Sequence, residues 1–213
     1  MKITVFGAAG NVGSRILNEA LCRGHEVTAV VRDPARFHSL PAAVTPRVGN
    51  TDNSDDVAAL SMGQDLVITA TRPAPGREHE LLNTTKALLE GVSRSNVRLL
   101  IVGGAASLTV PDSGGLAVID DPHFLPASAR AIAQASFAQL EVCRAESRLD
   151  WVYLSPPAQL VPGARTGHYR LGRDELLLDA QGKSCISMED LAVVLLDEAE
   201  RPQHHQTRFT AAY

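Results

Sequence analysis

Residues 7–13 read Gly7-Ala8-Ala9-Gly10-Asn11-Val12-Gly13, between an apolar run at Ile3–Phe6 and a segment whose apolar residues have helical spacing. Each glycine has a physical role in such a turn: Gly7 for the sharp bend, Gly10 for close approach of a pyrophosphate, and Gly13 for close packing of helix on strand. The start of the helix offers unpaired N–H groups to the phosphates. A glycine triplet in this strand–turn–helix context predicts a dinucleotide site. Its cofactor-binding residues would be Gly7, Ala9, Gly10, Asn11, Val12 and Gly13.

The same alternation of strands and helices continues along the chain. Further strands are predicted at 26–31, 45–49, 65–69, 97–102 and 151–155, and helices lie between most of them. Most strands are apolar throughout, which is typical of a parallel sheet covered on both faces. We therefore predict an α/β fold, a single Rossmann-like domain over residues 1–213 with a doubly wound parallel sheet and a short C-terminal extension.

Three finer predictions concern the second half of the chain. A helix over about 127–147 is expected to bury Phe137, together with Ile132, Ala133, Leu140 and Cys143. After Pro156 the pattern predicts a loop, a short hairpin around Gly172-Arg173-Asp174, and an edge strand at Phe209–Tyr213. Ser187 is expected to cap the last helix, with Asp190 three residues on as in a capping box.

Composition limits the partners. The formal net charge is -4, and no long run of like charge occurs, so nothing favours nucleic acid or an anionic membrane surface. No apolar stretch reaches membrane-spanning length, and the N-terminal residues lack the pattern of a signal peptide. The three cysteines show no Cys-x-x-Cys pair and His204-His205 lacks metal-ligand spacing, so we expect no metal and a cytoplasmic protein.

The end of the second strand bears on the choice of cofactor. An acid there favours NAD, whereas arginine accommodates the 2′-phosphate of NADP. Arg32 follows the strand directly and Arg36 comes about one helical turn later, so both can reach one phosphate. Asp33 is the competing NAD-type acid, but Pro34 after it favours a helix-capping role for Asp33. The sequence predicts NADP.

These stretches resemble those of atypical short-chain dehydrogenases/reductases, in particular the group of NADH-flavin reductases and flavin reductase (biliverdin-IXβ reductase). The likeness covers nearly the whole chain. It rests on residues 6–13, 24–33, 63–68, 155–157, 166–169 and 186–191. The resemblance implies that Ala70, Thr71 and Arg72 line the phosphates and ribose of the cofactor. It also implies that Gly103, Gly104 and Ala105 pass beneath the nicotinamide and that Pro156 and Pro157 hold the carboxamide side.

The catalytic pattern departs from that of most short-chain dehydrogenases. They carry a Tyr-x-x-x-Lys on the helix after the fifth strand, where tyrosine donates the proton. This chain has only Tyr153, Tyr169 and Tyr213, none of them on that helix. The nearest hydroxyl to the usual serine position is Ser107, our candidate catalytic residue, although it can equally bond its own turn. Ala158 stands where one histidine of the mammalian flavin reductases would fall.

Three functions follow from these features. The first is an NADPH-dependent oxidoreductase that transfers a hydride to a small-molecule acceptor of the flavin or quinone class, because a conjugated ring delocalises the incoming charge without a protein acid. The second is a non-catalytic NADP-binding sensor of the NmrA type. The third is a relative of sugar-nucleotide epimerases, for which the C-terminal part is short. The sequence does not predict the oligomeric state.

Overall fold

The computed structural model describes residues 1–213. It contains ten strands and five α-helices. The strands are β1 Lys2–Phe6, β2 Glu26–Val31, β3 Thr45–Val48, β4 Leu66–Thr69, β5 Arg98–Val102, β6 Trp151–Ser155, β7 Gln159–Val161, β8 Arg170–Gly172, β9 Cys185–Ser187 and β10 Thr207–Ala212. The helices are α1 Asn11–Cys22, α2 Ser54–Ser61, α3 Leu81–Ser93, α4 Arg130–Arg144 and α5 Met188–Glu200.

Eight strands form one sheet in the order β3-β2-β1-β4-β5-β6-β10-β8. All neighbours pair in parallel except β10 and β8, which are antiparallel. The chain leaves β1 towards β2 and β3, then returns to the other side of β1 at β4. The crevice at the carboxyl ends of β1 and β4 is therefore the switch point, where open α/β sheets bind their ligands. The Rossmann-like α/β fold with a C-terminal extension is confirmed.

Alternating side chains of the strands build a core on each face of the sheet. In β1, Ile3 and Val5 point to the face covered by α1 and α5, whereas Phe6 points to the face covered by α2, α3 and α4. A sheet covered on both faces buries every residue of its inner strands, which is the observed pattern in the mostly apolar strands β4 and β6. No helix combines the length and the hydropathy that a bilayer-spanning segment requires.

The C-terminal half corrects two of the sequence predictions. There is no hairpin around Gly172-Arg173-Asp174, because β8 pairs with β10. The strand expected at Phe209–Tyr213 is not an edge strand, since β10 lies between β6 and β8. The edge position falls to β8. The short strands β7 and β9 form a separate two-stranded sheet.

Helix α4 also differs from its prediction. Phe137 is 36% exposed, and the side chains that face inward include Ser136 and Gln139. The prediction that Phe137 is buried is wrong. Ser136 and Gln139 occupy inward positions of α4, and a pattern based on apolar residues does not detect them.

The prediction that Ser187 caps the last helix is confirmed, because its hydroxyl accepts a hydrogen bond from the Asp190 backbone N–H at 2.9 Å. The reciprocal bond of a capping box is not formed, since the Ser187 N–H donates to the Tyr213 hydroxyl at 3.2 Å.

A long segment joins β5 to α4 with only short 3-10 turns between them. It is held by a small satellite core of Leu108, Val118 and Leu176, separate from the two main clusters. Leu176 comes from the loop after β8, and that loop also bridges to Thr109 through Glu175. The segment therefore depends on the C-terminal extension for its position above the sheet.

Candidate functional site

The turn between β1 and α1 shows why its three glycines differ. Gly7 has φ +77°, and a Cβ there would lie 2.7 Å from the Ala70 carbonyl oxygen. A Cβ at Gly13 would lie 2.1 Å from the carbonyl oxygen of Gly7. At Gly10 the nearest atom would be the same oxygen at 3.1 Å, with φ −80° and ψ 171°, a conformation open to any residue. The fold itself therefore requires Gly7 and Gly13, whereas a side chain at Gly10 requires the neighbouring backbone to shift by only a few tenths of an ångström.

The start of α1 is free to bind an anion. Gly10 is the N-cap and supplies no side-chain hydrogen bond to the first turn. No acidic residue lies in that turn, so the backbone N–H groups there retain their hydrogen-bonding capacity and the positive end of the helix dipole. A glycine at the cap leaves room for a phosphate to reach these groups. The geometry fits the pyrophosphate of a dinucleotide.

The cationic residues after β2 lie beside this turn. Asp33 acts as a cap, since its Oδ1 accepts a hydrogen bond from the Ala35 N–H at 2.9 Å. Arg36 reaches back to the turn, where its Nη2 donates to the Ala9 carbonyl oxygen at 3.0 Å. Arg32 lies exposed directly after β2. The structure thus places a positive edge next to the glycine turn, and Asp33 is occupied by its capping bond.

A cavity of about 300 Å³ opens beside the turn at the carboxyl ends of β4, β5 and β6. Eight of the predicted cofactor-binding residues line it: Val12, Ala70, Thr71, Arg72, Gly103, Gly104, Pro156 and Pro157. The remaining wall comes from the β5–α4 segment, with Val118, Phe124 and Leu125, and from the first half of α4. Residues distant in sequence, predicted for one site, are therefore brought together around one cavity.

The cavity is almost free of ionisable groups. Arg72 is the one charged side chain in its lining, and no aspartate, glutamate, histidine, cysteine, lysine or tyrosine contributes to it. Neutral polar groups come from Thr71, Ser136 and Gln139. Ala158 also lines the wall and supplies no polar side chain. The cavity can hold a flat apolar ring but offers no side chain of moderate pKa to exchange a proton.

Ser107 is not part of the cavity lining. Its Oγ accepts a hydrogen bond from Arg208 Nη1 at 3.1 Å, and the Arg208 guanidinium also binds Asp174. Arg208 is 5% exposed, so this bond holds Ser107 towards β10 rather than towards the cavity. Arg208 is not among the residues predicted from the sequence, although a single arginine within the apolar run of the last strand is a visible signal.

Comparison with known proteins agrees with this geometry. The family model described as NAD(P)H-binding matches residues 7–202. The chain belongs to the NAD(P)H-binding family. The match begins at Gly7 and ends before β10, so it covers the turn and every residue that lines the cavity.

Members and neighbours of the NAD(P)H-binding family match over nearly their whole length. The Bacillus subtilis (strain 168) protein YwnB is 36% identical over 212 residues, 99% of this chain and 97% of that protein. A crystal structure of a proposed epimerase from Bacteroides thetaiotaomicron is 40% identical with a TM-score of 0.91, over 100% of this chain and 96% of that one. A proposed NADH-flavin reductase from Streptococcus pneumoniae TIGR4 is 29% identical with a TM-score of 0.87, over 100% and 99%. The NAD(P)H-binding family and the α/β fold that the resemblance implies are confirmed.

Proposed function

We propose that the protein is an NADPH-dependent oxidoreductase that transfers a hydride to a flavin, a quinone or a similar conjugated acceptor. The observation that carries the proposal is a cavity beside the dinucleotide turn whose lining is apolar and lacks a proton donor of moderate pKa. The name of the Streptococcus pneumoniae neighbour, a proposed NADH-flavin reductase, supports the same reaction class.

The residues present fit a nicotinamide dinucleotide. The lack of a side chain at Gly10 and the uncapped start of α1 suit the pyrophosphate, while Arg32 and Arg36 suit a 2′-phosphate. Gly103 and Gly104 would form the floor of the nicotinamide pocket, with Pro156 and Pro157 at its side. When bound, the cofactor supplies the hydride. The protein's part is to hold donor and acceptor face to face and to exclude water from the space between them.

The acceptor class follows from proton balance. Reduction of an isolated ketone creates an alkoxide, which needs an acid within reach. A guanidinium does not serve as an acid in proteins, because it does not give up its proton. The other lining side chains are neutral and do not titrate. A conjugated ring spreads the added charge over several atoms and can take its proton from solvent. The cavity therefore favours conjugated acceptors.

The first prediction concerns cofactor preference. NADP(H) should bind at least about tenfold more tightly than NAD(H), because charge-assisted hydrogen bonds to a 2′-phosphate contribute roughly 1.5–3 kcal/mol each. Calorimetric titration of both cofactors measures the ratio. Arg36→Ala should reduce it, whereas Arg47→Ala, which removes an exposed arginine from β3, should leave it unchanged. Equal affinities in the wild type would instead favour the NAD assignment.

The second prediction concerns catalysis. We keep Ser107 as the candidate catalytic hydroxyl, yet its bond to Arg208 leads us to expect a small role. Ser107→Ala should slow turnover by no more than about tenfold, since a neutral hydrogen bond contributes roughly 0.5–1.5 kcal/mol. Single-turnover reduction of a flavin or quinone by NADPH deuterated at the transferred position should show a primary isotope effect. Abolished turnover in the variant would restore acid catalysis by Ser107.

The absence of an acid also favours one other function, a sensor that binds NADP without turnover. Binding of NADPH with no reduction of flavins, quinones or small carbonyls would establish it in place of the reductase.

The name of the Bacteroides neighbour suggests an epimerase. Against that function, the cavity has neither tyrosine nor lysine in its lining.

We also propose a reducing, cytoplasmic setting, since all three cysteines are free.

A further inference from the structure

We propose that Tyr153 is a positioning residue that fixes the Gly103–Gly104 floor of the cavity at the height the nicotinamide ring requires. The inference rests on the proposed function, because it assigns that floor to the nicotinamide. Tyr153 lies in β6, where it is paired in register with Ile101 of β5, two residues before the floor begins. Its side chain is completely buried.

One hydroxyl group connects three elements. The Tyr153 hydroxyl oxygen accepts a hydrogen bond from the Gly104 backbone N–H at 3.1 Å. The same oxygen lies 3.1 Å from the Ser136 carbonyl oxygen and 3.2 Å from Gln139 Oε1, so its proton is donated to α4. Because the hydroxyl both accepts from the floor and donates to the helix, it fixes the distance between the end of β5 and α4.

The ring of Tyr153 also explains the glycine pair. A Cβ at Gly103 would lie 1.9 Å from the ring carbon Cζ of Tyr153, and a Cβ at Gly104 would lie 2.7 Å from the Cβ of Ser136. Neither glycine has a positive φ that would itself demand glycine. The backbone of Gly103 and Gly104 therefore packs directly against Tyr153 and α4. The two positions must be glycine because the Tyr153 ring and the Ser136 side chain occupy the space that a side chain would need.

Tyr153 does not supply the proton donor that the cavity lining lacks. Burial raises the pKa of its hydroxyl far above that of a free tyrosine, so the group stays protonated. The hydroxyl donates its hydrogen bond to an acceptor on α4, and Tyr153 does not line the cavity. The effect of Tyr153 on a bound cofactor therefore passes through the backbone of Gly103 and Gly104.

The side chain of Gln139, an acceptor for the Tyr153 hydroxyl, is itself held by hydrogen bonds. Gln139 Nε2 donates to Thr85 Oγ1 at 3.2 Å, and Thr85 Oγ1 in turn donates to the Leu81 carbonyl oxygen at 2.7 Å. Gln139 is 4% exposed and Thr85 is 2% exposed. A polar chain buried between α3 and α4 costs free energy unless each member is bonded, and here each one is. The chain orients the amide of Gln139, whose Oε1 is one of the two acceptors on α4 for the Tyr153 hydroxyl.

Tyr153→Phe tests the inference, because it keeps the ring and removes only the hydroxyl. The dissociation constants of NADPH and of 2′-phospho-ADP-ribose, which lacks only the nicotinamide, should be measured by calorimetry on the whole protein. We expect NADPH binding to weaken about two- to tenfold, the effect of one neutral hydrogen bond. Binding of 2′-phospho-ADP-ribose should stay within about twofold of the wild type. NADH and ADP-ribose serve as the equivalent pair if the protein prefers NAD.

The matched control is Tyr169→Phe, which removes a tyrosine hydroxyl bonded to Asp197 of α5, outside the cavity lining. It should alter neither dissociation constant. Equal weakening of both ligands by Tyr153→Phe, or no weakening of NADPH, would overturn the inference. A wild type that reduces no acceptor, while the variant still loses NADPH affinity selectively, would overturn the reductase function and leave the positioning role in place.

Discussion

Gly10→Val should weaken NADPH binding by at least about 100-fold and leave the protein folded. Valine accepts the extended backbone at this position, and the nearest atom to its Cβ would be the Gly7 carbonyl oxygen at 3.1 Å. Its two methyl groups would instead occupy the space above the start of α1, where the pyrophosphate has to reach the backbone. Calorimetry with NADPH and circular dichroism measure the two parts of the prediction.

Two further variants separate binding from folding. Gly10→Ala adds only the Cβ and should give an intermediate affinity. Gly13→Ala should destabilise the fold itself, because its Cβ would meet the Gly7 carbonyl oxygen at 2.1 Å. A folded Gly10→Val protein that binds NADPH normally would show that the phosphates bind elsewhere.

Asp190→Asn should lower the free energy of unfolding by about 3 kcal/mol or more, since hydrogen bonds to a charged group contribute roughly 1.5–3 kcal/mol each. The Asp190 carboxylate accepts four: from the N–H groups of Thr166 and Gly167, both at 2.8 Å, from the Thr166 hydroxyl at 2.6 Å and from the Tyr213 hydroxyl at 2.7 Å. An asparagine amide would place an N–H group against some of these donors. Denaturant unfolding measures the loss, and Asp55→Asn, an exposed aspartate at the start of α2, should change stability little.

The same carboxylate predicts acid sensitivity. Burial opposes ionisation of Asp190, but hydrogen bonds from Thr166, Gly167 and Tyr213 outweigh it and hold the pKa below the usual aspartate value. Its contribution is therefore complete above the unfolded pKa of about 3.9 and is lost as the pH falls through the lower folded value. The wild type should lose stability more steeply than Asp190→Asn below about pH 4. Parallel acid profiles of the two proteins would contradict this role.

The parts of the fold that could be predicted from sequence are those set by local chemistry. The glycine turn, the Asp33 and Ser187 caps and the central strands depend on residues close together in the chain, and each was found where expected. The cavity-lining residues after β4, β5 and β6 follow from the resemblance to the flavin reductases, and they meet around one cavity because parallel strands bring their carboxyl ends to one edge.

The remaining errors arise from contacts between distant residues. The position of β10 depends on pairing with β6 more than fifty residues earlier, and hydrophobic alternation looks the same for an inner and an edge strand. Ser107 was a reasonable candidate from its place after β5, but Arg208 determines which way it faces. Tyr153 gave no sign of its contact with Gly104, because a tyrosine in an apolar strand resembles any core residue.

The insertion of β10 between β6 and β8 makes the outer strand depend on the inner one. Strand β8 has no other partner in the large sheet, so it joins that sheet only through β10. Leu176 and Asp174 follow β8 and contact the β5–α4 segment at Leu108 and Thr109. The strands β3, β2, β1 and β4 take part in none of these contacts. Displacement of β10 would therefore remove support from the wall that encloses an acceptor and leave the strands of the dinucleotide half paired.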